Sequence, residues 1–441
     1  MASRWPVVSV SDIAERTAAG PFGSSISSKH FVDAGVPVIR GSNLSQDIGT
    51  RLIDNALVFL REEKAAEFSR SEARKGDLIF TCWGTIDQVG LIDDRAMYDR
   101  YIVSNKQMLL TPRSSIADSL FLYYYFSSPM VRAEIVNQGI GSSVPGFNLG
   151  QLRALKVSLP PLAEQKDITR ILGTLDDKIE LNRRMNVTME AVARALFQSW
   201  FVDFDPVHAK AAGRHPFGMD APTAALFPAS FQDSAHGKHP LGWRYCEAQS
   251  IAQIGIGKTP PRKEPQWFSE SHHDIPWVSI KDMGNTGIFA QQTSEFLTEE
   301  AVSRFNVRRV TRNTVLLSFK LTVGRVVIAD MPLTTNEAIA HFGIYPKSGI
   351  SHEFLYLYLS QFDYGSLGST SSIATAVNSA TIRAMPILIP PKELVAAFSK
   401  VISPLFEKVR INQSECQSLS KTRDLLLPRL LSGKINISST I

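Results

Sequence analysis

The sequence predicts an α+β protein in which two tandem mixed α/β domains are separated by two long helices, and three observations lead to this prediction. The chain has 441 residues, of which 44% are hydrophobic and 20% are charged, so each half can bury a core of its own. The second half repeats landmarks of the first half in the same order. Each copy then ends in a heptad pattern that is typical of a long coiled-coil helix.

The repeat covers a whole domain. The spacing between matching residues falls from about 238 at the first pair to about 230 at the last, as small loop deletions would produce. A unit of this length is too long for a solenoid, so we predict a tandem duplication of one domain together with its helical tail. The matched landmarks are Trp5 with Trp243, Ile13 with Ile251, Asn105 with Asn336, Asn148 with Asn378, and the double prolines at 160–161 and 390–391.

Each copy begins with a mixed α/β part. Short β-rich runs such as residues 35–39 and 77–81 alternate with Gly, Ser and Asn turns, which is typical of strands joined by tight loops. A helix is predicted over residues 118–138, with a counterpart over residues 351–362. Aromatic side chains on these helices could stack on bases, but their crowding on one helix favours packing in a core.

Each copy ends in a long helical pattern that follows its double proline, and proline is well tolerated where a helix starts. Apolar residues recur every seven positions, and we place the second position of each heptad three residues later. Each series contains one asparagine at the same place, and a buried asparagine is typical of a contact that fixes register. An ordinary amphipathic surface helix is the alternative, but the matched length and heptad favour pairing of the two helices. The predicted seam is Ile168, Leu175, Asn182, Met189 and Leu196 in the first helix, and Phe398, Leu405, Asn412, Leu419 and Leu426 in the second.

These patterns divide the chain into five segments. Residues 1–160 form the first α/β domain, 161–203 the central helix, 242–391 the second α/β domain and 392–435 the C-terminal helix. Prolines and glycines interrupt the pattern repeatedly between residues 204 and 241. This stretch is therefore predicted to be a connector between the central helix and the second domain.

Composition limits the class of protein without deciding it. The net charge of +5 and the pI near 9.0 suit a polyanionic partner, although many proteins share these values. The three cysteines, Cys82, Cys246 and Cys416, are far apart and match no metal-ligand spacing, as is usual in a reducing cytosol. The sequence contains neither an apolar window of about 18 residues nor an apolar run typical of a signal peptide. We therefore expect a cytoplasmic protein with no membrane partner.

No motif in the sequence predicts catalysis, a bound cofactor or a metal. The triplet at 257–259 (GKT) resembles part of a phosphate loop, but Ala252 stands where the leading glycine would be, and two prolines follow directly. The double prolines lack the preceding polar and following aromatic residues of an amino-methyltransferase motif, and no Pro-Asp dipeptide supports a nuclease core. The spacing of His236 and His239 would suit zinc, but no cysteine or carboxylate pattern completes such a site.

Four motifs carry a resemblance to a known family. They are residues 159–166 (LPPLAEQK), 175–182 (LDDKIELN), 199–207 (SWFVDFDPV) and 425–435 (LLLPRLLSGKI). In these motifs, and in its domain–helix–domain–helix layout, the sequence resembles the specificity subunits of Type I restriction–modification systems over essentially its full length. The second copy departs from the pattern, because residues 393–395 (ELV) replace residues 163–165 (AEQ). The partner contacts of the second helix are less well predicted for this reason.

The resemblance implies a division of labour. Each α/β domain would be a target recognition domain that reads one half of a split double-stranded DNA site. The two helices would pair antiparallel as a spacer, which gives the molecule a pseudo-twofold arrangement. Two modification subunits would dock on the helices and use S-adenosylmethionine to methylate adenine N6. Restriction and translocase subunits, with ATP and Mg²⁺, would join them, and the specificity subunit itself would bind no cofactor and catalyse nothing.

Polar, basic and aromatic residues in the predicted loops are the candidates for DNA contacts. Lysine and arginine would neutralise phosphates, while amides, hydroxyls and aromatic rings would read base edges. The two domains differ at most of these positions, so we expect an asymmetric target. The candidates are Ser25, Lys29, Arg40, Asn43, Trp83, Thr85, Asn105 and Lys106 in the first domain, and Lys258, Arg262, Lys263, Lys281, Lys320, Arg325 and Asn336 in the second.

The helices also predict a fixed spacing between half-sites. A helix from Ile168 to Ser199 would be about 48 Å long, which matches roughly one and a half turns of B-DNA. Two other functional classes remain open. One is a coiled-coil adaptor that binds protein without reading DNA, and the other is a self-contained DNA enzyme.

Overall fold

The structure, a computed structural model, describes residues 4–23, 25–140, 145–367 and 378–435. The chain divides into two compact units. Unit 1 contains Met1–Leu181 together with Cys416–Ile441, and unit 2 contains Asn182–Glu415. Each unit therefore combines one α/β part with a segment of each long helix.

Unit 1 is built from short strands and short helices around the start of the central helix, Leu162–Phe197. Its other helices are Val10–Ile13, Glu62–Ala66, Ser119–Ser127, Pro129–Asn137 and Leu149–Ala154. Its strands are Val7–Ser9, Ala14–Ala19, Phe31–Val32, Val36–Ile39, Val58–Leu60, Glu72–Arg74, Leu78–Thr81, Val89–Leu91, Arg100–Val103, Gln107–Pro112 and Lys156–Ser158.

Unit 2 repeats this plan around the C-terminal helix, Lys392–Leu431, most of which lies in it. Its other helices are Asp205–Ala211, Ala221–Ala225, Ala248–Ile251, Ile280–Asn285, Glu299–Arg304, His352–Gln361 and Ser379–Arg383. Its strands are Phe231–Ser234, Gly237–Pro240, Arg244–Glu247, Ala252–Ile256, Phe268–Ser269, Ile275–Val278, Phe289–Ala290, Glu295–Leu297, Val315–Ser318, Val326–Ala329, Thr334–Thr335, Ile339–Ile344 and Pro386–Ile389.

The two α/β parts share one strand order, which confirms the predicted duplication. In unit 1 one sheet has the order 14–19, 107–112, 78–81, 89–91, and the same order recurs in unit 2 as 252–256, 339–344, 315–318, 326–329. The other sheet begins 31–32, 58–60, 36–39, 100–103 in unit 1 and reads 268–269, 295–297, 275–278, 334–335 in unit 2. In each unit the last two strands of that series are parallel neighbours. Each unit adds one edge strand of its own, 72–74 in unit 1 and 289–290 in unit 2.

Strand register corrects one pairing of the repeat. The amide of Ser104 donates to the carbonyl of Ile39 (2.9 Å), and the amide of Asn336 donates to the carbonyl of Val278 (3.2 Å). Both bonds extend the parallel strand pair at the same point. Asn336 therefore matches Ser104, and not Asn105 as the sequence pattern predicts. Matching landmarks in the sequence cannot reveal a shift of one residue within a loop.

Gly20 and Gly257 occupy matching positions where the chain passes close to a neighbouring backbone. A Cβ atom on Gly20 would lie 1.8 Å from the carbonyl oxygen of Ser104, and one on Gly257 would lie 2.1 Å from the carbonyl oxygen of Asn336. Any side chain would clash with that backbone, so the close approach requires glycine. Packing thus explains the glycine of the GKT triplet without a phosphate.

In unit 1 the segments of the two long helices pair antiparallel. Arg423 Nη1 donates to Asp176 Oδ1 at 2.8 Å, and the Cys416 Sγ atom lies 3.6 Å from the carbonyl oxygen of Ile179. Moving forward along one helix therefore means moving backward along the other. Buried side chains from both helices join one core with the α/β part, namely Ile168, Leu172, Leu427, Leu430 and Leu431.

In unit 2 the helix segments are also antiparallel. Asn182 Nδ2 donates to Glu415 Oε2 (2.8 Å), and Asn412 Nδ2 donates to Asn186 Oδ1 (2.9 Å). Both seam asparagines are fully buried, and within the described part of the chain their side-chain oxygens have no hydrogen-bond partner. A shifted register would leave the amide nitrogens unpaired as well, so these bonds favour a single alignment.

The seam follows a different heptad spacing from the predicted one. All ten predicted seam residues are buried or half-buried. In each heptad the second buried position lies four residues after a predicted seam residue. The predicted spacing of three residues is wrong, because Val192 and Val401, which it places in the seam, are exposed. Because an α-helix has about 3.6 residues per turn, a side chain four residues along returns closer to the same face than a side chain three residues along. The buried residues at this spacing are Leu172, Ile179 and Ala193 in the central helix, and Ile402, Val409 and Leu430 in the C-terminal helix.

The predicted helix over residues 118–138 is two helices, Ser119–Ser127 and Pro129–Asn137. Ser128 is extended between them, because the residue before a proline avoids the helical region. The aromatic run of the first helix is buried, as predicted. The matching run of His352–Gln361 is buried as well, except for Tyr358, which is half-buried.

The predicted connector is folded within unit 2. It contains two short helices and a hairpin of Phe231–Ser234 with Gly237–Pro240, and Val207 and Phe227 are buried in the core. Before it, the central helix ends in a π-helical turn, Gln198–Val202, which turns both Trp200 and Phe201 inward. The motif SWFVDFDPV thus contributes aromatic side chains to this core.

Candidate nucleic-acid interface

In unit 1, loops that follow strand ends meet at one end of the α/β part. The amide of Cys82 donates to the carbonyl of Lys106 (2.7 Å), which joins two of these loops. Two more loops lie beside them, 20–23 and 40–43, because Ser104 contacts Gly20 and Ile39 as described above. We call this surface edge 1, and it comprises residues 20–23, 40–43, 82–85 and 104–106.

Edge 1 gathers most of the residues predicted in the first domain. Trp83, Thr85, Asn105 and Lys106 are exposed on it, and Ser25 is exposed beside it. Asn105 Nδ2 donates to the carbonyl of Gly23 (3.0 Å), and Ser25 Oγ donates to the carbonyl of Phe22 (2.8 Å). These two side chains therefore hold the backbone at Phe22 and Gly23. Arg40 is half-buried at the base of its loop.

Two residues predicted in the first domain do not fit a DNA contact. Asn43 is fully buried, where its Oδ1 accepts from the amide of Arg40 (3.0 Å) and its Nδ2 donates to the carbonyl of Ile53 (3.0 Å). Its side chain shapes edge 1 from within. Lys29 is exposed, but strand register places it beyond Phe31, at the opposite end of the sheet from loop 40–43.

Unit 2 forms the matching surface from the matching loops. The amide of Lys258 donates to the carbonyl of Thr335 (2.9 Å), and the amide of Phe319 donates to the carbonyl of Ala338 (2.9 Å). Arg325 Nη1 donates to the carbonyl of Ile280 (2.7 Å), which adds a further loop. We call this surface edge 2, and it comprises residues 257–264, 279–281, 319–325 and 336–338.

The seven residues predicted in the second domain all lie on edge 2, in two groups. Four lysines are exposed and extend from it, namely Lys258, Lys263, Lys281 and Lys320. The other three hold the surface together. Arg325 bonds to the loop at 280, and Asn336 Oδ1 accepts from the amide of Ala338 (3.1 Å).

Arg262 is the third of these structural residues. Its guanidinium forms two bonds with the Glu295 carboxylate, at 2.5 and 3.0 Å, and its carbon centre lies 4.2 Å from the Phe268 ring and 4.6 Å from the Trp277 ring. Hydrogen bonding to Glu295 raises the pKa of Arg262. A phosphate would have to displace this carboxylate, so the four lysines are better placed to meet a DNA backbone.

The sequence-based prediction missed two exposed apolar residues on these surfaces. Phe22 is 90% exposed on edge 1 and Leu321 is 97% exposed on edge 2. A clue existed for Phe22, since an aromatic residue between prolines, glycines and serines cannot belong to a strand or helix. The sequence contains no comparable signal for Leu321.

Burial behind edge 2 alters the acid–base chemistry of His341. Its ring is 3% exposed, and its Nε2 atom lies 2.6 Å from Thr335 Oγ1. Burial, with a smaller contribution from the positive charge of Arg308, lowers the pKa of His341 to about 4. The folded unit therefore holds this histidine neutral at physiological pH.

Acidification is expected to destabilise unit 2 through His341. His341 binds a proton with a pKa near 6.5 in the unfolded chain but with a pKa of about 4 in the folded state. The free energy of unfolding therefore decreases as the pH falls from about 6.5 to about 4. At about pH 5 the loss should be roughly 2 kcal/mol in the free energy of unfolding. Urea unfolding over a pH series measures it. His341→Gln should flatten the slope, whereas His236→Gln, on an exposed turn, should leave it unchanged, and equal slopes in both variants would contradict the assignment.

Comparison with known proteins identifies the family. The pattern of the Type I restriction modification DNA specificity domain matches the chain twice, over residues 2–191 and 240–420. The chain belongs to the specificity subunits of Type I restriction–modification systems. It is a specificity subunit with two recognition domains, and the two matches coincide with the two α/β parts and the helical segments that follow them.

Named relatives agree with this family. The chain is 30% identical to the specificity subunit of the Type I restriction enzyme HindI from Haemophilus influenzae, over 83% of this chain and 88% of that one. It is 23% identical to the MjaIX specificity subunit from Methanocaldococcus jannaschii, over 98% and 94% of the two chains. The crystal structure of a specificity subunit from M. genitalium has the same fold, with a TM-score of 0.56 at 14% identity over 97% and 96%.

Two further features of this specificity subunit concern metal ions and membranes. Among the described residues, no group of three or more His, Cys, Asp and Glu side chains is arranged to hold a metal ion. Within the same residues, no helix is long and apolar enough to cross a membrane.

Proposed function

We propose that this specificity subunit reads a split site in double-stranded DNA, with edge 1 contacting one half-site and edge 2 the other. One observation supports the proposal. Loops that are far apart in sequence bring their polar, basic and aromatic residues to one edge in each unit. Exposed lysines would contact phosphates, and neighbouring polar and apolar side chains would contact base edges. Because the two edges carry different residues, the half-sites are expected to differ.

The chemistry is proposed to belong to partner subunits. Two modification subunits would dock on the long helices and methylate adenine N6 with S-adenosylmethionine, while restriction and translocase subunits would use ATP and Mg²⁺. The specificity subunit would act without a catalytic residue of its own, in the cytoplasm. Incorporation of label from S-adenosylmethionine into DNA is expected only when the modification subunit is added, and incorporation by this chain alone would refute the assignment.

DNA contact at edge 2 should appear in the salt dependence of binding. If Lys258 neutralises a phosphate, Lys258→Ala should reduce the slope of log affinity against log salt by about 0.9. Lys347 is an equally exposed lysine on the turn after Ile339–Ile344, at the opposite end of that strand from edge 2. Lys347→Ala is therefore the matched control and should keep the wild-type slope. Gel shifts at several salt concentrations decide, and a chain that binds modification subunits but no DNA would instead be an adaptor.

The long helices are proposed to set the distance between half-sites. Adding one heptad to both helices, after Leu181 and after Glu415, keeps the antiparallel seam in phase and lengthens each helix by about 10 Å. The preferred spacer in the DNA should then increase by about 3 base pairs. Binding to DNAs with a graded series of spacers measures the shift. An unchanged preference would show that the helices do not set the spacing.

A further inference from the structure

The loop at 319–325 presents an apolar side chain at an unfavourable backbone conformation. Leu321 has a φ of +61° and is 97% exposed. Leucine rarely adopts this left-handed region, because its Cβ atom crowds the following carbonyl group. Leu321 therefore costs conformational energy and also exposes apolar surface to water. An outlier that folding does not need is a reason to look for a function.

The matching loop in unit 1 shows what folding alone requires. Strand register aligns Leu78 and Leu91 with Val315 and Ile328, so the loops 82–88 and 319–325 have equal length. At the position of Leu321, unit 1 has Gly84, whose φ is +92°. The turn thus requires a left-handed residue in both units. Unit 1 meets the requirement with glycine, the residue that adopts it without strain, and unit 2 does not.

Hydrogen bonds fix the backbone of the loop that carries Leu321. Ser318 Oγ donates to the carbonyl of Thr322 (2.5 Å) and accepts from the amide of Arg325 (3.0 Å). The amide of Gly324 donates to the carbonyl of Ser318 (2.9 Å). These bonds close the loop, and the Leu321 side chain remains exposed on it.

The surroundings of Leu321 indicate its partner. Lys258, Lys281 and Lys320 are exposed on the same edge, and cations of this kind attract a polyanion. An apolar side chain among lysines has one apolar counterpart on the edges of DNA bases, the C5 methyl group of thymine in the major groove. We propose that Leu321 selects a thymine in the half-site bound by unit 2 by packing against this methyl group. The inference rests on the proposed function and adds a specificity-determining residue to it.

Unit 1 carries a different side chain at the corresponding tip. Trp83, next to Gly84, is 54% exposed. Each loop thus extends a strongly exposed apolar side chain from its edge, Trp83 in unit 1 and Leu321 in unit 2, in a different position and with a different shape. The two half-sites would therefore be read differently at this point.

The test compares Leu321→Gly with the wild type in the complex with the modification subunits. The target is first obtained from the wild type by methylation mapping. Because glycine suits the backbone, Leu321→Gly should melt at the same or a higher temperature, yet bind the target about tenfold more weakly, as for the loss of one base contact. Leu241→Ala removes a different leucine of unit 2, which is 51% exposed on the turn after Gly237–Pro240, and should bind as the wild type does.

Replacing single thymines of the half-site by deoxyuridine removes only the methyl group. One such replacement should weaken the wild type about tenfold and leave Leu321→Gly unaffected. The proposal is overturned if Leu321→Gly binds as tightly as the wild type, if no thymine occurs in the half-site, or if every deoxyuridine is tolerated. Weaker binding by Leu321→Gly together with tolerance of deoxyuridine would indicate insertion between base pairs and would also overturn it. A wild type that discriminates no DNA would refute the proposed function as well.

Discussion

Replacing Asp176 with alanine is expected to lower the free energy of unfolding of unit 1 by about 3–5 kcal/mol, because it removes the buried carboxylate from a network of buried ion pairs. Asp176 is 1% exposed, and its carboxylate accepts from Arg423 Nη1 (2.8 Å) and from the Tyr124 hydroxyl (2.5 Å). Arg51 Nη2 lies 3.8 Å away. Both arginines are buried, and each keeps a more exposed partner, Asp93 for Arg51 and Asp424 for Arg423. Removing the Asp176 carboxylate would take away the fully buried negative charge that lies near both guanidinium groups.

The neighbouring residue provides the control for this experiment. Asp177 is paired with Arg95, but its side chain is 71% exposed, so Asp177→Ala should cost less than about 1 kcal/mol. Urea unfolding of the full chain, with hydrogen exchange to assign the loss to unit 1, measures both variants. The double variant Asp176→Leu with Arg423→Met should recover part of the loss, since apolar residues can replace a buried ion pair. Equal losses for Asp176→Ala and Asp177→Ala would contradict the role given to the buried network.

Replacing Phe398 with alanine is expected to destabilise unit 2 by about 3–5 kcal/mol. Phe398 is fully buried at the start of the C-terminal helix. Its ring centroid lies 4.9 Å from that of Phe201, 5.5 Å from that of Trp200 and 6.0 Å from that of Phe197. The large cavity left by alanine would open between aromatic rings that hold the two helix segments together, and rigid rings cannot move to fill it.

Val401 is the matched control, because it lies one turn further along the same helix and is 49% exposed. Val401→Ala should cost less than about 1 kcal/mol, and Phe398→Leu should cost less than Phe398→Ala, because it retains part of the side-chain volume. Thermal melts of the three variants rank them. If Phe398→Ala and Val401→Ala melt at the same temperature, the aromatic core contributes less stability than its packing suggests.

The helices show how far periodicity predicts a coiled coil. The seven-residue series from Ile168 and Phe398 identified residues that lie at the interface, because a repeat of seven keeps one face in line whichever partner it meets. The second position depends on the partner, and Val401, predicted there, is exposed. The burial of Asp176 could not be predicted, since it depends on cations supplied from Arg51 and Arg423, which are distant in sequence.

The candidate interface was predictable in its location but less so in its details. Loop composition indicated segments that meet at one edge in each unit, because a strand end with polar residues and glycine rarely lies in a core. It could not separate the exposed Lys258 from Arg262, whose charge is already paired with Glu295. Nor could it reveal Leu321, because backbone strain is a property of a turn and has no signature in residue type.

The composition of the two units has a consequence for biosynthesis. Unit 2 is one continuous stretch, whereas unit 1 needs the segment that begins at Cys416, which is translated after all of unit 2. The usual vectorial order, in which the N-terminal part of a nascent chain folds first, is therefore reversed here. Until Leu427 and Leu430 are translated, the apolar surface around Ile168 and Leu172 lacks the C-terminal helix side chains that pack with it in the folded unit. The first half of the nascent chain therefore keeps apolar surface exposed until the C-terminal helix has been translated.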